Sequence, residues 1–284
     1  MKPPFVIDTK KETVRLDFDS WTDYLEAAGN RFDNCDSADS RLSWRSADDN
    51  AYPTFDEAVQ KCRFGDHALT AEIVKIGASL PPVTARERRR RPVPAMCGHA
   101  PIVGAAIVGH PLSMMRFNRL EGSRPIIRIG VNVSISGGVS GLVMAKRGAA
   151  VLALCDALET AGYAVQIDIL DGTAGYNGDW KANFRATIKR PESYVDPGIL
   201  AAALLTAAPC RRLYFALAEQ LPTTDLRSTF GVGGGYGRPR DHEDASTYDL
   251  YMPKVRLGEK DFDTPTAAAD WCQNWLNKLT GGKP

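Results

Sequence analysis

The chain has 284 residues, 44% of them hydrophobic and 24% charged, with 35 basic against 34 acidic side chains. That length and balance suit one large domain, or one domain with a smaller N-terminal region, and a sizeable core. A net charge of +1 argues against wholesale nucleic-acid binding, which needs many uncompensated Lys and Arg on one face, and no run reaches the roughly 18 apolar residues of a membrane span.

In chain order, Val14, Leu16 and Phe18 alternate with Arg15 and Asp17, the period of a short strand. Ser20 followed by Asp23 resembles a capping box, opening a helix that Gly29 stops. Residues 30–53, rich in Asp, Asn and Ser, read as a loop. Thr54 with Glu57 caps a second helix that buries Phe55, Ala58 and Cys62, and His67 to Gly77 fits a third. Residues 79–94 combine prolines with Arg86, Arg88, Arg89, Arg90 and Arg91. This run reads as a solvated linker; nucleic acid is its alternative partner, disfavoured because no aromatic side chains interleave to stack bases. Residues 95–115 are apolar and glycine-rich, with a short helix expected at 101–108. Cys97, His99 and His110 have no zinc-ligand spacing, so local hydrogen bonding is the favoured reading.

The centre of the chain is the run 124–171. Ile127, Ile129, Val131, Val133 and Ile135 alternate with smaller or polar residues; Ser136-Gly137-Gly138 breaks the run; Val151, Leu154, Cys155 and Leu158 form a helical stripe; Gly162 stops it; Val165, Ile167 and Ile169 restore the strand period. Such a βαβ unit is expected to be parallel with a right-handed crossover. Beyond it, a strand is expected at 182–189, a helix at 196–208, and a helix or strand at 211–220. Residues 229–238 read as a flexible glycine-rich loop, 248–252 as a strand, and a helix opens at Thr264-Pro265 and closes at Gly281. The six cysteines form no CxxC pair, and Cys155, Cys210 and Cys272 in helical patterns read as buried thiols.

The expected fold is a three-layer α/β domain with a mainly parallel sheet, residues 121–284, and an N-terminal helical and irregular region, residues 1–120, packed on it or continuous with it. In such sheets ligands collect at the carboxyl ends of parallel strands, so the candidate site is the loop carrying Asn132, Ser134, Ser136, Gly137, Gly138 and Ser140, with Asp168, Asp171, Asp241 and Asp244 as acidic partners. The loop has neither a P-loop lysine nor a GxGxxG spacing. No Gly-x-Ser-x-Gly elbow or His-Glu-x-x-His motif occurs, and no catalytic residue is assigned.

Asn132, Ser134 and Ser136 at i, i+2 and i+4 resemble the Asp-x-Ser-x-Ser metal motif of von Willebrand factor A-type domains, with asparagine in place of the aspartate. That substitution removes the carboxylate a hard cation prefers. The resemblance therefore implies a metal-free relative of a Rossmann-like, three-layer fold; no cofactor is expected, and Mg²⁺ is the alternative. A wider resemblance rests on Gly98, Pro101, Val103, Gly109, Pro111 and Met114, the strand at 126–135, Arg147-Gly148-Ala149-Ala150 through Leu158-Glu159, and Pro209 through Arg211-Arg212-Leu213 to Phe215 and Glu219. These are similar to an uncharacterised family of tailed phages and bacterial mobile elements, labelled virion structural proteins. The resemblance implies a phage or prophage setting, in the host cytoplasm or the virion, and transfers no catalytic residue. The expected function is a non-enzymatic binding or assembly protein with a protein partner and no membrane; the alternative is a metal- or nucleotide-dependent enzyme or factor using the 132–141 loop. Trp44, Tyr176, Trp180 and Tyr236 are the expected exposed aromatics.

Overall fold

The computed structural model describes residues 3–30, 52–79, 92–98, 100–117, 124–136, 139–191, 193–232, 235–256 and 262–281. The basic run 86–91, Gly137, Gly138, His99 and Trp44 lie outside them.

Short-range signals set most of the element ends. A hairpin of β1 (Val6–Asp8) and β2 (Thr13–Phe18) turns on the Asp8 carboxylate, which accepts from the amides of Lys10 and Lys11. The Ser20 hydroxyl accepts from the Asp23 amide to open α1 (Trp21–Gly29), and Thr54 accepts from Glu57 to open α2 (Phe55–Phe64). A single 3-10 turn, His67–Leu69, leads into α3 (Thr70–Ser79). There follows a small unit of β3 (Pro92–Ala95), β4 (Ala100–Pro101), α4 (Val103–Ile107) and β5 (Met114–Phe117). The central unit is β6 (Ile126–Asn132), α5 (Gly141–Thr160) and β7 (Ala164–Ala174); Ser140 caps α5, and Gly162 follows it at φ 94°, in the left-handed region. Then come β8 (Lys181–Lys189) and α6 (Pro197–Leu204), which starts on the Asp196 side chain. A π-helical turn, Pro209–Tyr214, runs straight into α7 (Phe215–Glu219), which settles the 211–220 alternative as helix. After α8 (Thr224–Thr229) come β9 (Arg238–Pro239), β10 (Leu250–Met252) and α9 (Pro265–Thr280), closed by Gly281 at φ 67°.

Seven strands form one mixed sheet in the order β1-β2-β8-β7-β6-β10, with β9 pairing the end of β7. Its centre, β10-β6-β7, is parallel, as expected for the βαβ unit, and β8 runs antiparallel to β7 but parallel to β2. The N-terminal hairpin is thus part of the same sheet as the central unit.

The two faces of the sheet differ in chemistry. Val14, Leu16 and Phe18 of β2, Phe184, Ala186 and Ile188 of β8, and Ile167 and Ile169 of β7 are buried on one face. Against it lie α1 and α5, and the π turn through Tyr214 on Phe184; α2 packs on α1, α6 and the π turn, α6 on α2 and α5, and α3 and α9 flank α5. The opposite face carries Arg15, Asp17, Gln166, Asp168 and Arg185. It is covered by residues 238–251, including a 3-10 turn, Glu243–Thr247. The third layer expected from the sequence is therefore absent among the described residues, and the fold is two layers of α on β. The reason is physical: a face whose central side chains are ion-paired offers no apolar surface for a helix to bury.

The helical layer is tight where α5 meets the end of α6. A Cβ on Gly148 would lie 2.2 Å from the Leu204 carbonyl oxygen, whereas one on Gly104 of α4 meets nothing within 4 Å. Alanine raises helix propensity by about 1 kcal/mol, but forcing two backbones apart costs on the order of 1–3 kcal/mol. Gly148→Ala is expected to lower unfolding free energy by about 1 kcal/mol and Gly104→Ala to leave it unchanged or raised. Urea unfolding of the two variants checks this; equal behaviour would show that the α5–α6 contact is not restrictive.

Candidate functional site

The expected loop residues separate into different roles. Asn132 ends β6 fully buried on the polar face, where its amide nitrogen donates to the Arg240 carbonyl at 2.9 Å and to the Tyr251 hydroxyl at 3.1 Å, while its oxygen accepts from the Ser134 amide at 3.0 Å. Ser134, also buried, bonds both the N–H (2.9 Å) and the C=O (3.0 Å) of Gly172. These two side chains pin the end of β6 to β7 and to the segment that covers the polar face. Ser140 is occupied in capping α5, its hydroxyl accepting from the Leu142 amide. Among the described residues no group of three His, Cys, Asp or Glu side chains is placed to hold a metal. The oxygens of Asn132 and Ser134 that would serve the metal motif are engaged within the protein.

The expected acids divide between the two faces. Asp168 lies on the polar face, receiving the Tyr248 hydroxyl at 3.0 Å and Gln166 at 3.2 Å, with an Arg185 nitrogen at 3.8 Å. Arg185 also bonds Asp17, which bonds Arg15, which pairs in bidentate fashion with Asp244. Asp241 accepts from the Lys254 amide at 2.9 Å. Beside them His242 is 3% exposed; its Nδ1 accepts from the Asp244 amide and its Nε2 has no partner. Burial holds its pKa down at about 4, against the smaller opposing effect of Asp244.

Asp171 sits on the helical face, opposite Phe184 in the register, and is 3% exposed. Thr173 donates to one of its oxygens at 3.0 Å; the other has no hydrogen-bond partner. Burial raises its pKa to about 6, an effect that the Thr173, Cys210 and Ser134 side chains oppose. Burial, and then the charge of Asp171, push the Cys210 thiol well above its ordinary value. A thiol so held is a poor nucleophile.

Over this group, at the end of β6, opens a cavity of about 310 Å³ lined by Ser134, Ser136, Thr173, Cys210, Arg211, Tyr214, Tyr176, Tyr236 and Arg238 among others. Ser134 and Ser136 are thus the expected loop residues that reach it. The π turn supplies Cys210, Arg211 and Tyr214. Sequence reading missed these residues, although two adjacent arginines inside an otherwise apolar run were the available signal. Tyr236, expected on the surface, is 2% exposed: its ring stacks on Phe215 at 4.0 Å and its hydroxyl donates to the buried Glu219 carboxylate. Trp180 is half-buried and Tyr176 is 42% exposed. A larger cavity of about 650 Å³ lies between α3, α5 and α6, with Leu152, Ala153, Ile167 and Leu200 in its mostly apolar walls and the Lys189–Glu159 ion pair (2.9 Å) at its edge. It gathers none of the strand-end groups.

The second candidate is the unit β3–β5, a three-stranded antiparallel sheet in the order β3-β5-β4 whose elements pack chiefly on one another. None of its described side chains is buried. Met96, Val103, Ile107 and Val108 are 65–79% exposed, and from Ala95 to Met115 the sequence has no Asp, Glu, Lys or Arg. The helix expected at 101–108 is α4, shorter and unburied. Cys97 is exposed in this unit, while Cys62, Cys155, Cys210 and Cys272 are buried thiols.

These features define a mixed α/β protein with helices on one face of its sheet, a strand-end cavity walled by rings and hydroxyls, and an exposed apolar unit. The chain belongs to the family described as a domain of unknown function, DUF7192, whose match runs over residues 6–281. No curated protein and no solved structure matches it. Among the described residues no single helix is long and apolar enough to cross a membrane.

Asp171 and His242 give opposing pH responses. The raised acid of Asp171 removes stability as pH rises from about 4 to about 6, and the lowered His242 removes it as pH falls from about 6.5 to about 4, each by about 3 kcal/mol. The two slopes nearly cancel in the wild type. Asp171→Asn is expected to make stability rise with pH across this window, and His242→Gln to make it fall. Urea unfolding between pH 4 and 7 checks the signs; variants whose difference from wild type is the same at every pH would show that neither group titrates as its burial demands.

Proposed function

We propose that this protein is a non-enzymatic binding or assembly protein that docks a protein partner through the unit formed by β3, β4, α4 and β5. The observation that carries this reading is the exposure of Met96, Val103, Ile107 and Val108 on a stretch with no Asp, Glu, Lys or Arg from Ala95 to Met115. Scattered apolar residues on a surface need no explanation, but an exposed apolar stretch of this length is a recognition surface or an aggregation liability. The edges of the small sheet favour recognition by side chains. Pro92 and Pro94 lie in β3 and Pro101 in β4, so neither outer strand offers a full row of amides for strand addition. Val103 and Ile107, four residues apart on α4, instead share one face and fit an apolar groove on the partner. The resemblance to phage and mobile-element proteins supports reading this docking as a step in the assembly or host-interaction machinery of a phage or prophage, in the host cytoplasm or the virion.

The strand-end acids support this reading over a metal-dependent one. Asp168, Asp241 and Asp244 are held by Tyr248, Lys254 and Arg15 on one face, and Asp171 lies on the other.

A photo-reactive amino acid at Ile107, activated in the native host, is expected to cross-link one or a few defined proteins. The pair Val103→Asp and Met96→Asp should abolish those adducts without changing the melting temperature, because neither side chain packs in the body. Adducts to a second copy of the chain would make the assembly homomeric, and adducts to another protein heteromeric. Adducts that persist in the aspartate variant, or that are confined to chaperones, would overturn the proposal.

A further inference from the structure

The larger cavity, about 650 Å³, runs from the surface to the sheet between α3, α5 and α6. Its inner wall is part of the core: Leu152, Cys155 and Ile167 are 0–6% exposed. Its rim is open, with Val74 67% and Tyr194 84% exposed. Protein interiors are close-packed, with few voids larger than a water molecule, so a space of this size that reaches the core is not ordinary loose packing. It falls within the roughly 300–1,000 Å³ range of small-molecule sites, whose usual form is apolar walls with a few polar groups. The walls are aliphatic, from Ile73, Leu152, Ala153, Ile167, Val195 and Leu200, and Tyr194 brings an aromatic ring only at the rim.

Three charged side chains line the cavity among the described residues, Asp156, Glu159 and Lys189. Lys189 is 5% exposed and engaged: its ammonium pairs with Glu159 at 2.9 Å and donates to the Ser193 carbonyl at 2.7 Å. Those two charges cancel. Asp156 is exposed and has no hydrogen bond or ion pair with any described residue, so the lining carries one net negative charge. Both acids lie near the C-terminal end of α5, whose last turn holds no basic residue, and the helix dipole adds negative potential there. Tyr194 supplies a ring at the same rim, and the face of such a ring attracts cations. An anionic head would meet Asp156 and would have to displace Glu159 from Lys189; a cationic head meets neither obstacle.

From this arrangement we propose that the cavity binds a primary amine with an aliphatic chain, the chain against Leu152, Ile167 and Leu200 and the ammonium group at the rim beside Asp156. The cavity shares no residue with the unit formed by β3, β4, α4 and β5, and its occupancy is independent of the docking proposed there.

Calorimetric titration of the full chain with octylammonium, octanoate, octanol and methylammonium tests it, because the first three share one chain and the last is the head alone. Octylammonium is expected to bind at least tenfold more tightly than octanoate or methylammonium and at least threefold more tightly than octanol. Asp156→Lys should weaken octylammonium at least tenfold while leaving octanol unchanged, and Ala78→Trp should weaken both by filling the mouth. Both positions are exposed, so the melting temperatures of the free variants should match the wild type. Absence of octylammonium binding at millimolar concentration would overturn the proposal, as would octanoate or octanol binding as tightly. Octylammonium binding that either variant leaves unchanged, or that Asp156→Lys weakens no more than it weakens octanol, would overturn it too.

Discussion

The chemical difference between the two faces of the sheet constrains everything else in this molecule. Along β2 and β8 every second residue is apolar and the intervening ones are charged or polar, so one face can accept helices and the other cannot. All the helices that cover the sheet crowd onto the apolar face, where α5 and α6 approach closely enough that Gly148 has no room for a side chain. The polar face is closed by pairing charges with charges: Arg15, Asp17, Asp168, Arg185 and Asp244 form one chain of contacts beneath the segment 238–251. Each partner there offsets the desolvation of the next, so the network holds the covering segment in place more than it adds net stability.

That division also explains why the strand-end groups do not form one catalytic centre. Residues two apart on a strand share a face, and residues three apart do not. Asp168 and Asp171 are three apart on β7, and the register puts Asp171 opposite Phe184 and Asp168 opposite Thr187. The first is drawn into the ion-paired face, and the second is pressed against the helices with Cys210 and Tyr214. Two carboxylates that look adjacent in sequence therefore have opposite environments: one is satisfied by Tyr248 and Gln166, and the other lacks a partner for one oxygen.

Much of the fold was legible because its signals are local. The Ser20, Thr54 and Thr264 caps, the Gly162 and Gly281 stops and the strand period of 127–135 and 165–169 depend on neighbours within a turn, and the elements formed there, although β6 stops at Asn132, short of the expected Ile135, where only a single bridge to Val255 remains. What failed was non-local. The third layer was inferred from the βαβ pattern, yet among the described residues the opposite face is taken up by Arg15, Asp17 and Arg185, which meet across strands far apart in sequence. The buried state of Tyr236 depends on Phe215 and Glu219, and a glycine-rich setting concealed it. Of the candidate site, Ser134 and Ser136 were identified at the strand end, but Arg211 reaches the same cavity from a π turn that propensity does not distinguish from an ordinary helix.

The same reasoning separates the strand-end cavity from the unit formed by β3, β4, α4 and β5. The strand-end cavity is assembled from four distant parts of the chain, the ends of β6 and β7, the π turn and the 235–239 segment, so its geometry exists only once the main core has formed. The unit draws on one continuous stretch, residues 92–117, and contributes no buried side chain among those described. Loss of the unit's apolar surface should therefore leave the core intact, while loss of the core must abolish the cavity. A protein built this way can change its docking surface without disturbing its fold, because the residues that recognise a partner and the residues that hold the sheet together are different residues.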